Sequence, residues 1–352
     1  MAQDYVAAFA RDGSRRFIAN LDTRVELFSW GDHVLPMTVN NGEKPGTFVC
    51  SARAGYIDYT LEELRHFPHP KLAALLGIVV KSVGPMLSLC DMDHIVHVNN
   101  WMMSTNLPID LDPVLVPDRT ADLVSHYPRH VLAMRSLSPR YSGALMAALS
   151  RAGWALLPCR QNYLVDDVAR ETLQRRDVRR DHVLWQQGDF AFAELTEMSA
   201  TDARRITDLY AMLYLQKYSH LNAAFTEHFV HLSHRTGLIR YLVLRDKEGT
   251  IQTFGGMCQN GIHATMPLLG YNTALDQRLG LYRLAFHAGI LHAAEYGLRF
   301  NLSSGATSFK RNRGATPEIE YTAFYLRHLA LRRRLSFSAL SLVARKIGEP
   351  VL

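Results

Sequence analysis

The sequence predicts an α/β protein with two similar domains, each a mixed, mostly antiparallel sheet flanked by helices. The chain has 352 residues, 48% of them hydrophobic, and this length exceeds what one hydrophobic core usually sustains. Strand and helix signals alternate in both halves of the chain. In the second half, residues 263–302 read as strand, turn, helix and strand, with a glycine where the first strand meets the helix.

The first half, residues 1–165, is predicted to form the N-terminal domain. Strand character is found at residues 25–30, 48–52, 95–105, 130–137 and 154–165. Residues 71–83 are apolar enough for a buried helix, or for a helix followed by a strand. Another helix is expected to begin at Pro139, with Ser138 as its cap, and to end at Gly153.

Residues 166–189 are polar and charged, and we expect them to form a basic connecting helix. Its arginines are Arg170, Arg175, Arg176, Arg179 and Arg180. Such a face is usually solvated, although it can also bind phosphate groups.

Residues 190–352 are predicted to form the second domain. Strands are expected at 190–195, 239–245, 250–259, 262–269, 298–302 and 318–326, and helices at 201–215, 226–234 and from 279. The C-terminal segment 337–347 is a basic amphipathic helix, and its apolar face is short. We therefore expect it to pack on its own domain rather than bind a membrane.

The joint between strand and helix has the sequence Gln277-Arg278-Leu279-Gly280-Leu281-Tyr282. A glycine lets the backbone approach a ligand closely, and the N–H groups of a helix's first turn attract anions. The joint is therefore a candidate pyrophosphate site.

This hexapeptide resembles the Gln/Arg-x-x-Gly-x-Gly/Ala signature of the GNAT N-acyltransferases. It matches at Gln277 and Gly280 and departs at Tyr282, where a small residue is usual. Gly270-Tyr271, the strand 298–302, Gly305 and Phe309-Lys310 look like the GNAT branch that includes the FemAB aminoacyl transferases and the BioF-type acyltransferases. The resemblance covers the C-terminal half, whose element order is that of the family. The first half is then interpreted as a degenerate GNAT-like domain, with an unrelated α/β domain as the alternative.

The resemblance implies an N-acyltransferase that moves an acyl group from an acyl thioester to an amine by direct attack. Acyl-CoA is the expected co-substrate, bound by Gln277, Arg278, Leu279, Gly280, Leu281 and Tyr282. In the family, backbone N–H groups hold the acyl carbonyl where two central strands splay. In this chain that place is the end of the strand at Leu269.

Four residues are the main candidates for the chemistry, namely His263, Glu318, Tyr271 and Lys310, and three others are alternatives to them. His263 is the first candidate for the base because it lies on the signature strand and titrates near neutrality, although a lone strand histidine is more often structural. Glu318 is a rival, as is Glu320. Tyr271 can donate a proton to the leaving group, as can Ser304 or Ser308. Lys310 resembles a lysine that recurs in FemAB-like sequences, and it is either a group that stabilises charge or a solvated loop residue.

A net charge of +6 and a pI of about 9.1 favour anionic partners, with a surface solvated by excess arginine as the alternative. The alternatives to acyl-CoA are therefore an acyl carrier protein or an aminoacyl-tRNA as donor. A non-catalytic binding protein of the same fold is a further alternative. The acceptor is expected to be an amine on a small molecule or a peptide.

Other functional classes find little support in the sequence. The four cysteines form no Cys-x-x-Cys pair, which argues against a zinc ribbon or a disulfide framework. His228, His231 and His234 are spaced by three, but no accompanying ligand pattern predicts a metal site. No uninterrupted apolar run approaches the ~20 residues of a membrane span, and the N-terminus lacks the order of a secretory signal. We therefore expect a cytoplasmic protein without metal.

Overall fold

The computed structural model describes residues 1–43, 46–66 and 69–349. Its strands are β1 (Arg24–Trp30), β2 (His33–Asn41), β3 (His94–Val98), β4 (Val131–Leu137), β5 (Ala155–Val165), β6 (Ala191–Glu194), β7 (Arg240–Arg245), β8 (Ile251–Asn260), β9 (His263–Tyr271), β10 (Arg299–Asn301) and β11 (Thr316–Tyr325). Its helices are α1 (Ala2–Asp12), α2 (Ser14–Phe17), α3 (Thr60–Glu63), α4 (Pro70–Cys90), α5 (Val116–His126), α6 (Pro139–Ala152), α7 (Val168–Glu171), α8 (Arg176–Gln187), α9 (Ala200–Tyr210), α10 (Glu227–Arg235), α11 (Leu281–Glu295), α12 (Thr307–Asn312) and α13 (Leu331–Val343). Wider π-helical turns occupy Ala54–Tyr59, Ala211–Tyr218 and Ala344–Gly348, and tight 3-10 turns occupy Leu64–His66, Pro113–Leu115 and Gln277–Leu279.

The chain divides into two compact units. The N-terminal unit comprises residues 2–160, 219–223 and 319–349, and the central unit comprises residues 161–218 and 224–318. These units do not follow the predicted boundaries at residues 165 and 189. Residues 166–189 belong to the central unit, and the C-terminal residues from 319 onwards belong to the N-terminal unit.

The sheet of the N-terminal unit has the order β1-β2-β3-β4-β11. β3 and β4 are parallel, and the other neighbours are antiparallel. β11 lies in this unit because its residues 321–325 pair with β4, whose N–H and C=O groups need a partner along that edge. The helix α13 follows β11 and packs against α4. The C-terminal helix therefore packs on protein, although not on the domain that the sequence predicted.

The sheet of the central unit has the order β5-β10-β9-β8-β7-β6, in which residues 161–165 of β5 take part. β9 and β10 are parallel and joined through α11, and the other printed pairs are antiparallel. α9 and α11 pack against β8 and β9. Buried side chains of α11, β9 and β10 share one core, which includes Leu284, Leu269 and Phe300. The predicted mixed, mostly antiparallel sheet flanked by helices is thus confirmed.

Some local predictions for the first half differ from the structure. Residues 48–50 form turns rather than a strand, whereas the strand β2 was not predicted. The Ser138 side chain makes no capping hydrogen bond to α6, although Gly153 ends that helix in the left-handed conformation, with φ of 95°.

The helix α4 departs most from the sequence-based expectation. It is a continuous helix of 21 residues, long and apolar enough by length and composition to cross a membrane. Only 6% of its most apolar window is buried, so it is not the buried core helix that the sequence predicted. The expectation from sequence concerned uninterrupted apolar runs, and Lys81 interrupts the apolar sequence of this helix.

Candidate functional site

The central unit contains a cavity of about 280 Å³ at the N-terminal end of α11. It is lined by Lys217, Tyr218, Tyr271, Asn272, Leu275, Asp276, Gln277, Gly280, Leu281, Tyr282, Arg283 and Ala306. Five of the residues predicted from sequence therefore meet here, namely Tyr271, Gln277, Gly280, Leu281 and Tyr282.

Next to this cavity, the parallel pairing of β9 with β10 ends early. β10 pairs with His263, Ala264 and Thr265 of β9, and β9 continues to Tyr271. Alternate N–H groups of a strand point to opposite neighbours, so those of residues 266–271 that face away from β8 extend beyond the end of β10. This is the local geometry that the family resemblance implied for the carbonyl site. Leu269 is itself fully buried in the core below.

Gly280 forms the joint between the tight turn Gln277–Leu279 and α11. It has φ of 64° and caps the helix in the left-handed conformation, which a residue with a Cβ adopts only with strain. A Cβ here would lie 2.6 Å from Cδ2 of Leu184 on α8. Glycine is therefore favoured by the backbone conformation, and any other residue would also displace the Leu184 side chain of α8.

Asp276 shapes the loop before Gly280. Its carboxylate accepts hydrogen bonds from the backbone N–H of Arg278 at 2.9 Å and from Nε of Arg278 at 2.8 Å. Arg278 and Leu279 are exposed, and neither lines the cavity. The Arg278 guanidinium, predicted to contact a donor, is thus paired with its own loop, and this hydrogen bond raises the pKa of Arg278.

Arg283, which does line the cavity, is also paired. Nε of Arg283 donates to Asp181 at 2.6 Å, and Nε of Arg313 donates to the other oxygen of the same carboxylate at 2.8 Å. Asp181 is fully buried, and the Arg313 side chain is only 4% exposed. This triad joins α8, α11 and the end of α12, and it fixes Arg283 at the cavity wall.

Tyr271 has a cation beside its hydroxyl. Nζ of Lys217 donates to the Tyr271 oxygen at 3.1 Å, and this bond raises the pKa of Lys217. Because the oxygen accepts from Lys217, the hydroxyl proton of Tyr271 is directed elsewhere and can be donated to a ligand.

Tyr282 occupies the position where the family signature has a small residue. Its ring packs against Tyr271, Phe286 and Phe309, with centroid distances of 6.1, 4.9 and 5.0 Å. Burial raises the pKa of Tyr282 well above its ordinary value. The first turn of α11 is therefore covered on one side by an aromatic ring.

His263 lies far from this cavity. It begins β9 and Tyr271 ends it, which separates their backbones by roughly 26 Å along an extended strand. Burial, followed by the charge of Arg299, lowers the pKa of His263. The structure therefore does not bring the first candidate for the base to the cavity.

Lys310 and Glu318 are not cavity residues either. Lys310 is buried, and its Nζ donates to the backbone oxygens of Ser303 and Ser304 at 3.1 and 2.5 Å. Ser303 and Ala306 both have positive φ, 60° and 48°, so Lys310 holds a strained loop whose Ala306 lines the cavity. Glu318 is half-buried on β11 and is not among the lining residues.

Several residues of the site were not predicted from sequence. Tyr210, Tyr214 and Tyr218 recur every four residues, and the ring centroids of Tyr210 and Tyr214 stack 4.8 Å apart. Lys217 adjoins the last of these tyrosines. A spacing of four residues is typical of one side of a helix, so the sequence could have predicted that these tyrosines share a surface. Asp181 carried no such signal, because its partners lie about one hundred residues away or more.

Within residues 1–43, 46–66 and 69–349, no group of three or more His, Cys, Asp or Glu side chains is arranged to hold a metal ion. Of the spaced histidines on α10, His234 pairs through Nε2 with the backbone oxygen of Leu195 at 3.0 Å. Burial raises the pKa of Cys258 to about 12, which leaves its thiol protonated near neutrality.

Comparison with known proteins identifies the fold of this chain. No family model matches the chain, and no curated protein matches it. The solved structure of FemX matches with 7% identity over 66% of this chain and 81% of that one, at a TM-score of 0.51. L-PGS from Bacillus licheniformis matches with 15% identity over 72% of this chain and 82% of that one, at a TM-score of 0.50. The chain therefore has the tandem GNAT-like α/β fold that the resemblance predicted.

Proposed function

We propose that this chain is an acyltransferase that moves an acyl group from an activated carrier to an amine in the cavity at the start of α11. One observation supports this above all: β9 runs past the end of β10 beside the cavity, leaving backbone N–H groups directed away from β8. Donors in that position can stabilise the oxyanion that forms when an amine attacks a carbonyl. The acceptor is proposed to be an amine of a small molecule or a peptide.

The transfer needs few side chains. The amine nitrogen forms a bond to the acyl carbon, the bond from that carbon to the carrier breaks, the amine loses a proton and the leaving atom of the carrier gains one. Tyr271 is proposed to supply that proton, because Lys217 occupies its oxygen and directs its hydroxyl proton away. The distant His263 is no longer the first candidate for the base, and the amine proton is proposed to leave through water in the cavity.

The carrier is the second part of the proposal. Acyl-CoA would place its pyrophosphate at the turn before α11, where Arg278 and Arg283 are already paired with Asp276 and Asp181. Tyr282 also covers the first turn where a small residue would admit the phosphates. These contacts favour a carrier that is held elsewhere.

The basic face of α8 offers such a place. Arg176, Arg179 and Arg180 are exposed at helical spacing and border a groove of about 390 Å³. The same helix carries Leu184, which lies next to Gly280 in the cavity wall, so the arginines and a neighbour of the cavity wall belong to a single helix. A cation cluster of this kind binds nucleic-acid phosphates. We therefore infer that aminoacyl-tRNA is the donor, the alternative that the FemAB resemblance implied, in a cytoplasmic reaction.

Native mass spectrometry with bulk tRNA, acetyl-CoA and a longer acyl-CoA tests the carrier. We expect the chain to retain tRNA, and the variant Arg176→Gln/Arg179→Gln/Arg180→Gln to bind it more weakly. In filter binding, the slope of log affinity against log salt should fall in magnitude by about 2 to 3. The matched control is Arg204→Gln/Arg235→Gln/Arg240→Gln, which removes the same charge from exposed positions on the same unit.

Each alternative carrier has its own result. Retention of an acyl-CoA without tRNA, weakened by Gly280→Glu, would replace the tRNA donor with CoA. An acylated carrier protein that acylates amines when CoA does not would indicate the third donor. Binding of a donor without transfer to any amine would contradict the enzymatic proposal and favour a binding protein of this fold.

A further inference from the structure

The helices α4 and α13 of the N-terminal unit pack side by side and leave an outer face that is both apolar and basic. We propose that this outer face binds the surface of a bilayer that contains anionic lipids. It is defined by the exposed apolar residues Leu75, Ile78, Leu89, Leu331, Leu335 and Leu342, together with the basic residues Lys71, Lys81, Arg332, Arg334, Arg345 and Lys346. This property is independent of the acyl transfer proposed for the central unit.

The exposed apolar residues of the outer face recur on one side of each helix. On α4, Leu75, Ile78 and Leu89 are 59%, 67% and 56% exposed, at spacings that fall on one side of a helix. On α13, Leu331 and Leu335 are 64% and 61% exposed. Single exposed leucines are ordinary, but a run of them on two adjacent helices indicates a binding surface.

The inner sides of the same helices are apolar as well. Leu76, Val79 and Val80 of α4 and Leu340 and Val343 of α13 border a partly open apolar cavity of about 170 Å³. α4 is therefore apolar on both its packed side and its exposed side. A helix of that kind needs an apolar environment on its outer side too.

The charges on the outer face select the partner. Neither α4 nor α13 contains an acidic residue, while basic residues flank the leucines on both helices. A second copy of the chain would bring these like charges together, which disfavours self-association through this face. A nucleic acid would pair with the arginines but leave the leucines in water. An anionic bilayer accepts both, because leucine side chains enter the acyl region while Lys and Arg reach the headgroups.

The contacts of α4 indicate that it lies on the bilayer rather than crosses it. Arg333 of α13 is buried and donates from Nε to the backbone oxygen of Cys90 at 2.7 Å and from its terminal nitrogens to Asp91 and Arg129 at 3.0 and 2.8 Å. These bonds tie the C-terminal end of α4 to the N-terminal unit. Lys81 also stands within α4, where a charge in the bilayer centre is costly. An orientation in the plane of the interface satisfies both features.

Vesicle flotation with the full chain tests the proposal. The probes are vesicles of phosphatidylcholine alone and of phosphatidylcholine mixed with phosphatidylglycerol, each over a range of salt. We expect binding to the mixed vesicles only, weakened by salt. The variant Arg332→Gln/Arg334→Gln should lower the partition coefficient about fivefold per arginine. Leu75→Gln/Ile78→Gln should lower it by about tenfold or more.

Matched controls remove the same groups elsewhere on the N-terminal unit. Val114→Gln/Leu27→Gln replaces two exposed apolar residues, and Arg15→Gln/Arg151→Gln removes two exposed arginines. Both controls should bind like the unsubstituted chain, and circular dichroism verifies that every variant is folded.

Three results would overturn the proposal. The first is absence of binding to mixed vesicles by the unsubstituted chain. The second is an equal loss of binding in the variants and in their controls. The third is a dimer in sedimentation equilibrium that Leu75→Gln/Ile78→Gln dissociates, since a second copy would then cover the outer face.

Discussion

Replacing Gly280 by alanine perturbs the start of α11 in two ways that the structure separates. The first is backbone strain, because φ is 64°, and a residue with a Cβ pays about 1 to 2 kcal/mol in this region. The second is overlap, because the new Cβ would lie 2.6 Å from Cδ2 of Leu184. The contacted atom is the end of a half-buried leucine side chain that can shift, so the overlap adds about 1 kcal/mol, at the low end of the range for overpacking. We expect Gly280→Ala to lower the free energy of unfolding by about 2 to 3 kcal/mol.

The opposite end of α11 supplies the matched control. Gly297 has φ of 61° and no atom within 4 Å of its ideal Cβ position, so Gly297→Ala reports the strain without the overlap. A double-mutant cycle isolates the overlap. In a Leu184→Ala background, Gly280→Ala should cost only the strain of about 1 to 2 kcal/mol.

Urea unfolding followed by circular dichroism measures all four variants, with attention to whether the slope with denaturant stays constant. The reasoning is refuted if Gly280→Ala costs no more than Gly297→Ala. It is equally refuted if the Leu184→Ala background leaves the cost of Gly280→Ala unchanged. Either result would mean that α8 does not constrain the loop that precedes α11 at the cavity.

Three further predictions concern neighbouring residues. Lys310→Met should lower the free energy of unfolding by about 1 to 3 kcal/mol in urea, because two backbone oxygens lose their donor; a loss of transfer without a loss of stability would instead assign Lys310 to catalysis. Burial lowers the pKa of His287 from 6.5 to about 4. Between these two pH values the unfolded chain binds a proton on this imidazole and the folded chain does not, so the free energy of unfolding should fall by about 3 kcal/mol as the pH drops from 6.5 to 4. His287→Phe should flatten that part of the pH profile of urea unfolding, and an unchanged profile would contradict the assignment. Tyr282→Ala restores the small residue of the family signature, so isothermal titration should detect tighter CoA binding than in the unsubstituted chain; equal affinities would mean that the ring does not obstruct the phosphates.

The sequence predicted the central unit well because its signals are local. Gly280 is required by its own backbone angle and Gly297 ends α11, so both can be recognised from neighbouring residues. The hairpin of β7 and β8 is likewise set by the turn at residues 247–249. The order of these elements carried the family resemblance, and the fold it implied is confirmed.

The N-terminal unit was less predictable because its pairing is long-range. Nothing near β11 indicates that it pairs with β4, which lies almost two hundred residues earlier. β2 contains Pro36, and proline argues against a strand when it is judged from sequence alone. The composition of α4 cannot distinguish a buried helix from one whose outer side is exposed.

The position of each chemical candidate has a similar reason. Tyr271 lies at the cavity because it is close in sequence to the signature, whereas Lys217, which was not predicted, reaches Tyr271 from a distant part of the sequence. His263 shares the strand β9 with Tyr271, but the length of the strand places it at the opposite end. Lys310 follows the motif, yet only the folded loop reveals that its ammonium group binds backbone oxygens.

Amine-dependent deacylation of charged tRNA tests the central claim most directly. Bulk tRNA carrying labelled amino acids is incubated with the chain and a panel of amines, and loss of the ester above the spontaneous rate is measured. We predict that the unsubstituted chain transfers the label to at least one amine. Gly280→Glu, verified as folded by circular dichroism, places a carboxylate at the cavity wall and should abolish the transfer. Undiminished transfer by Gly280→Glu would contradict the assignment of the reaction to this cavity, and tRNA binding with no transfer to any amine would contradict the acyltransferase proposal itself.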